Sequence, residues 1–149
     1  SFGGTYMELY AKQYPAEVRG VVMVEPRHRD FTTACEGAGL PACAIPAEAV
    51  ASMPAIDIAE YEAFAQTSAQ IAASGQFGDY PVRVLTATSH GFPDAVEALW
   101  VSMLGELADE ARHGEQVVFT GAGHNLQLDH ALDVAEIIRE VIAAASTHR

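Results

Sequence analysis

Three short apolar runs, set among stretches of helical spacing, constrain what this chain can fold into more than any other feature. In Arg19-Gly20-Val21-Val22-Met23-Val24-Glu25-Pro26, four consecutive apolar residues, three of them β-branched, lie between a glycine and a proline. Such a run reads as a strand buried on both faces, and Pro26 stops it at Glu25. The runs at 81–86 and 116–120 read the same way. Helical periodicity fills the rest. Residues 2–14 carry Tyr6, Leu9 and Tyr10 on one stripe and Met7, Ala11 and Tyr14 beside it, and Pro15 ends the segment; this helix is expected to be mostly buried. Val96, Leu99, Trp100, Met103, Leu104, Leu107, Ala108 and Ala111 form a continuous amphipathic face, on which Trp100 reads as core rather than as a ligand platform. A final helix at 130–145 is expected to bury Val134, Ile137, Ile138, Val141, Ile142 and Ala145. The sequence therefore predicts an α/β domain with a parallel sheet flanked by helices. With half of the 149 residues hydrophobic and only 19% charged, the chain has enough apolar side chains for such a core.

Between the first two strands, at approximately 27–80, the composition changes. Prolines stand at 41, 46 and 54, alanines are frequent, and short helical runs fall near 46–52 and 57–73. In the second run Tyr61, Phe64, Ala65, Ser68, Ile71 and Ala72 mark one face. This insertion reads as a small helical lid. Cys35 and Cys43 lie within it, either as a disulfide closing a short loop or as two thiols; no second Cys or His pair stands nearby to make a zinc site. The net charge of −12 argues against nucleic acid and anionic membranes as partners. No run approaches the ~20 apolar residues of a membrane span. The first residues are not a signal peptide.

The chemistry concentrates at three positions. Ser1-Phe2-Gly3-Gly4, opening a helix, has the form of a serine on a sharp strand-to-helix turn, where Gly3 is expected to allow close packing. In a parallel α/β sheet the sites lie at the carboxyl ends of the strands. There Glu25 ends the first strand, and His124 follows the last in Gly121-Ala122-Gly123-His124. The order serine, acid, histidine suits acyl transfer. Ser1 would attack, His124 would take its proton, Glu25 would orient the imidazole, and the Phe2 backbone N–H would offer one oxyanion donor.

These motifs, with Val24-Glu25-Pro26 and Gly121–Asn125, resemble the C-terminal half of an α/β-hydrolase-fold protein, beginning at the nucleophile. The resemblance spans nearly the whole chain, the lid matching only in kind. It implies a serine esterase- or lipase-like hydrolase that cleaves a carboxylic ester or related acyl compound through an acyl-enzyme, with a small-molecule substrate and no metal or organic cofactor. In most similar proteins the acid follows the strand that here runs 81–86. Here the first carboxylate after it is Asp94, where a helix begins, so Glu25 is the preferred acid and Asp94 the alternative. The other function class is a non-catalytic α/β-hydrolase-fold protein that binds a ligand or partner. The chain is expected to be part of a longer protein and inactive alone. The remaining groups have plainer readings: His28 and His90 as loop-surface residues, with the pocket mouth as the alternative place for His28 and the site itself as that for His90, Asp129 as cap of the last helix with His130 beside it, and His113 and His148 as exposed.

Overall fold

The computed structural model describes residues 1–147; His148 lies outside them. In chain order the elements are α1 (Phe2–Gln13), β1 (Val21–Val24), α2 (Phe31–Gly37), α3 (Ala47–Ala51), α4 (Ala55–Ala73), β2 (Pro81–Ala87), α5 (Asp94–Asp109), β3 (His113–Phe119), α6 (Leu126–Asp129) and α7 (Ala131–Thr147). The strands form one parallel sheet in the order β1-β2-β3, with Val21 opposite Val82 and Pro81 opposite His113. All three strands run the same way, so the segments after Val24, Ala87 and Phe119 emerge on one edge. Among the described residues no helix is long and apolar enough to cross a membrane.

Successive strand residues point to opposite faces, and each face carries its own core. Val82 and Val84 pack with Trp100, Met103, Leu104 and Leu107 of α5 and with Ala11 of α1. Leu85 and Ala87 pack with Leu126 of α6 and Val134 of α7. The α5 stripe is buried as its spacing predicts. Strand β3 begins three residues earlier than the apolar run at 116–120 suggests, because β2 is paired along its whole length.

The insertion between β1 and β2 holds three helices rather than two. Helix α2 carries few apolar positions, of which Phe31 and Cys35 are buried. Cys35 and Cys43 form a disulfide with Cα atoms 5.5 Å apart. On α4 the buried residues are Thr67 and Ile71, while Ala65 and Ala72 face solvent.

Helix α1 departs most from expectation. Its buried residues are Thr5, Glu8, Ala11 and Lys12, while Tyr6, Met7, Tyr10 and Tyr14 are exposed. The inward face is held by charge. Lys12 Nζ lies 2.8 Å from Glu8 and 2.5 Å from Glu110 at the end of α5; Arg29 also pairs with Glu8, and with Glu110 at 2.6 Å. Buried charges persist only when paired in this way. Helix α7 buries Val134 and Val141 but leaves Ile138 and Ile142 exposed. Asp129 ends the short helix α6 instead of capping α7, and His130 rests its ring 5.1 Å from that of Phe119.

Candidate active site

The site is built around Glu25, whose side chain is fully buried at the end of β1. Its backbone has φ 47°, a left-handed conformation uncommon for a residue with a side chain. Surrounding bonds hold it there. Its N–H donates to the Leu85 carbonyl at 2.9 Å, and its own carbonyl accepts from the Ser1 amino group. Carboxylate Oε1 accepts from the Ala87 N–H at 2.8 Å and from Trp100 Nε1 at 3.3 Å. Oε2 meets two histidines, His90 Nε2 at 2.7 Å and His124 Nδ1 at 3.1 Å. Burial alone would raise the pKa of this carboxyl. The bonds from His124, His90 and the Ala87 amide outweigh burial and bring it down to about 2, so it is a carboxylate at neutral pH.

His124 sits on the loop after β3. Gly121, at φ 79°, turns that loop back, and the Ala122 carbonyl accepts from the N–H groups of Thr88 and Ser89 on the loop after β2. These cross-links bring the two histidines together, with ring centroids 6.2 Å apart. With Nδ1 donating to Glu25, His124 keeps Nε2 as its basic nitrogen. His90 is nearly enclosed and bonds Glu97 of α5 through Nδ1 at 2.5 Å. Burial pushes its pKa down, but hydrogen bonds to Glu25 and Glu97 outweigh burial and raise it. His90 thus lies enclosed between two carboxylates that favour its protonated form, rather than at a loop surface. A sequence signal for it did exist, since it follows β2 at the same sheet edge as Glu25 and His124.

Ser1 occupies the N-cap position of α1, yet its hydroxyl makes no capping hydrogen bond. Its carbonyl accepts from the Arg27 N–H at 3.1 Å, which ties the helix start to the segment after Glu25. Phe2 is the first helical residue, and its N–H is one of those a helix leaves without an intrahelical partner. Ser1, Phe2 and His124 line one cavity of about 390 Å³ with Arg27, His90 and Trp100. Among the described residues no hydrogen bond joins the Ser1 hydroxyl to His124; they share a cavity. A larger cavity of 550 Å³ lies at the opposite end of β1, among Met7, Tyr10, Val21, Val141 and Ile142, away from the carboxyl ends of the strands.

Asp94 opens α5 and lies in its first turn, apart from this cavity, as its helix-terminal reading predicts. Gly3 is not the point of close packing, since a Cβ there would meet nothing within 4 Å. That point is Gly4, where a Cβ would come 2.3 Å from the Pro26 Cβ. His28 is buried rather than solvated, and burial, then Arg29, lowers its pKa. His113 pairs with Asp79 at 2.8 Å on the surface. Trp100 is both core and cavity wall.

Glu25, His90 and His124 are also the described residues that could share a metal ion, with one donor atom of each within 4.8 Å of the others. Their separations of 2.7 and 3.1 Å are those of hydrogen bonds, which account for the cluster without an ion.

The fold and site together define a mixed α/β chain whose sheet edge gathers a serine, a buried carboxylate and two histidines. No family model matches the chain, and no curated protein or solved structure matches it either.

Proposed function

We propose that this chain carries the catalytic centre of a serine hydrolase of the α/β-hydrolase type, acting on a carboxylic ester or related acyl compound. The observation behind this reading is the buried Glu25 carboxylate, bonded to His124 Nδ1 beneath a cavity that Ser1 also lines. In the proposed reaction Ser1 Oγ attacks the acyl carbonyl while its proton passes to His124 Nε2. The carbonyl oxygen becomes an oxyanion facing the Phe2 N–H. The tetrahedral species collapses, the bond to the leaving group breaks, and His124 returns the proton to the departing oxygen. Water, deprotonated by His124, then attacks the acyl-enzyme, releasing the acid and restoring Ser1. Glu25 fixes the imidazole tautomer and stabilises its positive charge throughout. None of these steps calls for a metal or organic cofactor.

A fluorophosphonate probe on the full-length protein tests the reading. Covalent labelling that peptide mass spectrometry maps to Ser1, and that Ser1→Ala abolishes, is the expected result. An unlabelled Ser1 in a folded protein would favour a non-catalytic binding role.

A further inference from the structure

We infer that the cavity beside Ser1 takes acyl compounds bearing a second, free carboxylate, and that Arg27 is the residue that binds it. The inference rests on the hydrolase reading for its substrate class, but the binding part stands on geometry of its own.

Arg27 is a half-buried guanidinium on the wall that holds Ser1, His124 and Trp100. The chain has 20 acidic residues against 8 Lys and Arg. Among the described residues Lys12, Arg29, Arg83, Arg112 and Arg139 all have a carboxylate within 4 Å. Arg27 forms no such pair, and the other described exception, Arg19, is exposed. Two residues along the chain, Arg29 is bound by Glu8, Asp30 and Glu110. Asp30 and Glu62 border the cavity on the other side of Arg27, yet neither forms an ion pair with it.

What holds Arg27 instead is neutral. Its Nη2 donates to Thr32 Oγ1 at 2.7 Å, and the guanidinium lies 5.3 Å from the Phe31 ring centre and 5.6 Å from that of Phe64. Stacking of this kind fixes the plane of the group without cancelling its charge. A guanidinium carries five N–H donors in a rigid fork, and Thr32 uses one. A partly desolvated cation with donors to spare suits a bidentate carboxylate. The rest of the wall explains why that carboxylate would belong to an otherwise apolar acyl chain: Phe2, Ile45, Phe92 and Trp100 line the same cavity as the guanidinium and the nucleophile. With a net charge of −12, the protein as a whole offers anions no general attraction. Retention of an anionic substrate would therefore depend chiefly on Arg27, since His90, the other raised-pKa basic group on the wall, is already bonded to Glu25 and Glu97. Hydrolysis of such a substrate yields a dicarboxylate.

Two measurements on the full-length protein test this. The first is binding of monomethyl glutarate, read by fluorescence of Trp100, the single tryptophan, which lines the same cavity. Saturable quenching that weakens at least about tenfold in Arg27→Gln and recovers in part in Arg27→Lys supports the inference, whether or not the ester is cleaved. The second compares p-nitrophenyl hydrogen glutarate with p-nitrophenyl pentanoate, its uncharged analogue of equal carbon number. The anionic ester should have the higher kcat/KM, and Arg27→Gln should cut the ratio about ten- to a hundredfold, chiefly through KM. Absence of binding in the wild-type protein, equal losses for both esters, or a wild-type preference for the neutral ester would overturn the inference. Binding without hydrolysis, and without labelling by fluorophosphonate, would instead sink the hydrolase reading and leave an Arg27 carboxylate site. Should Arg27→Gln fail to fold, the wild-type ester preference and the Arg27→Lys variant still decide.

Discussion

At Glu25 the demands of the backbone and of the site coincide. A glutamate at φ 47° stores strain of order 1–3 kcal/mol, and such strain persists only where neighbouring bonds fix the residue. Here those bonds aim its carboxylate at His124 and His90. If Glu25 orients His124, Glu25→Gln should lower kcat by orders of magnitude with the fold intact, whereas Asp94→Asn should cost severalfold at most; steady-state kinetics and circular dichroism on both variants check the ranking. The identity of Glu25 and His124 as candidates was legible in the sequence, because their chemistry sits at strand ends. His90 was legible only by its place after β2; its bond to Glu97, seven residues on and across a turn, was not. The consequence for His90 is a pH dependence. Its pKa is raised above 6.5 in the fold, so its stabilising contribution is complete below about 6.5 and is lost as pH rises through the folded value. Glu25 behaves oppositely, its contribution being present above about 4.5 and lost as pH falls toward about 2. Urea unfolding across pH should show a decline in stability above pH 6.5 that flattens in His90→Gln, while the acid limb remains.

Among the elements, those that pack by apolar periodicity were the readable ones. Helix α5 buries its stripe because nothing else competes for that face. Helix α1 rotates away from the apparent stripe because Glu8 and Lys12 are paired inside by Arg29 and Glu110, residues 21 and 98 positions away from their respective partners. No local pattern announces such pairing. The same helix shows why a glycine can be noticed and yet misassigned. Gly3 and Gly4 look equivalent in the sequence, but only Gly4 faces Pro26 closely. Gly4→Ala must push α1 away from the segment after Glu25, and overpacking of this kind costs about 1–3 kcal/mol. Gly3→Ala meets open space and gains helix propensity, for a change near zero or a stabilisation of up to about 1 kcal/mol. Thermal unfolding of the two variants should therefore move in opposite directions or differ by several degrees. Loss of activity should accompany Gly4→Ala, since Ser1 is carried on that helix.

For the whole molecule the feature that matters is the side of β1 away from β2. Three apolar runs predict a narrow sheet with an open edge at 19–25, and the three-stranded arrangement leaves that edge and the neighbouring faces of α1 and α7 open. Strand β1 pairs with β2 along one edge, and among the described residues no strand lies along the other. Beside that edge Met7 is 49% exposed, Tyr10 43% and Ile142 61%, and with Val21 and Val141 they line the 550 Å³ groove. An open strand edge flanked by apolar side chains invites association, since burial there is worth about 25 cal/mol per Å² and an unpaired edge offers ready hydrogen-bond partners. The charge of −12 opposes it, but the repulsion is screened beyond a Debye length of about 8 Å at physiological ionic strength, while the apolar contact is not. The chain should accordingly self-associate with rising concentration, and more strongly as salt is added. Sedimentation velocity over a concentration series at low and moderate salt measures both trends. Met7→Gln with Ile142→Gln should shift the distribution toward monomer without loss of helical signal, because both side chains are already exposed to water. A monodisperse wild-type chain throughout, or an unchanged distribution in the double variant, would mean that this face is not what brings copies together.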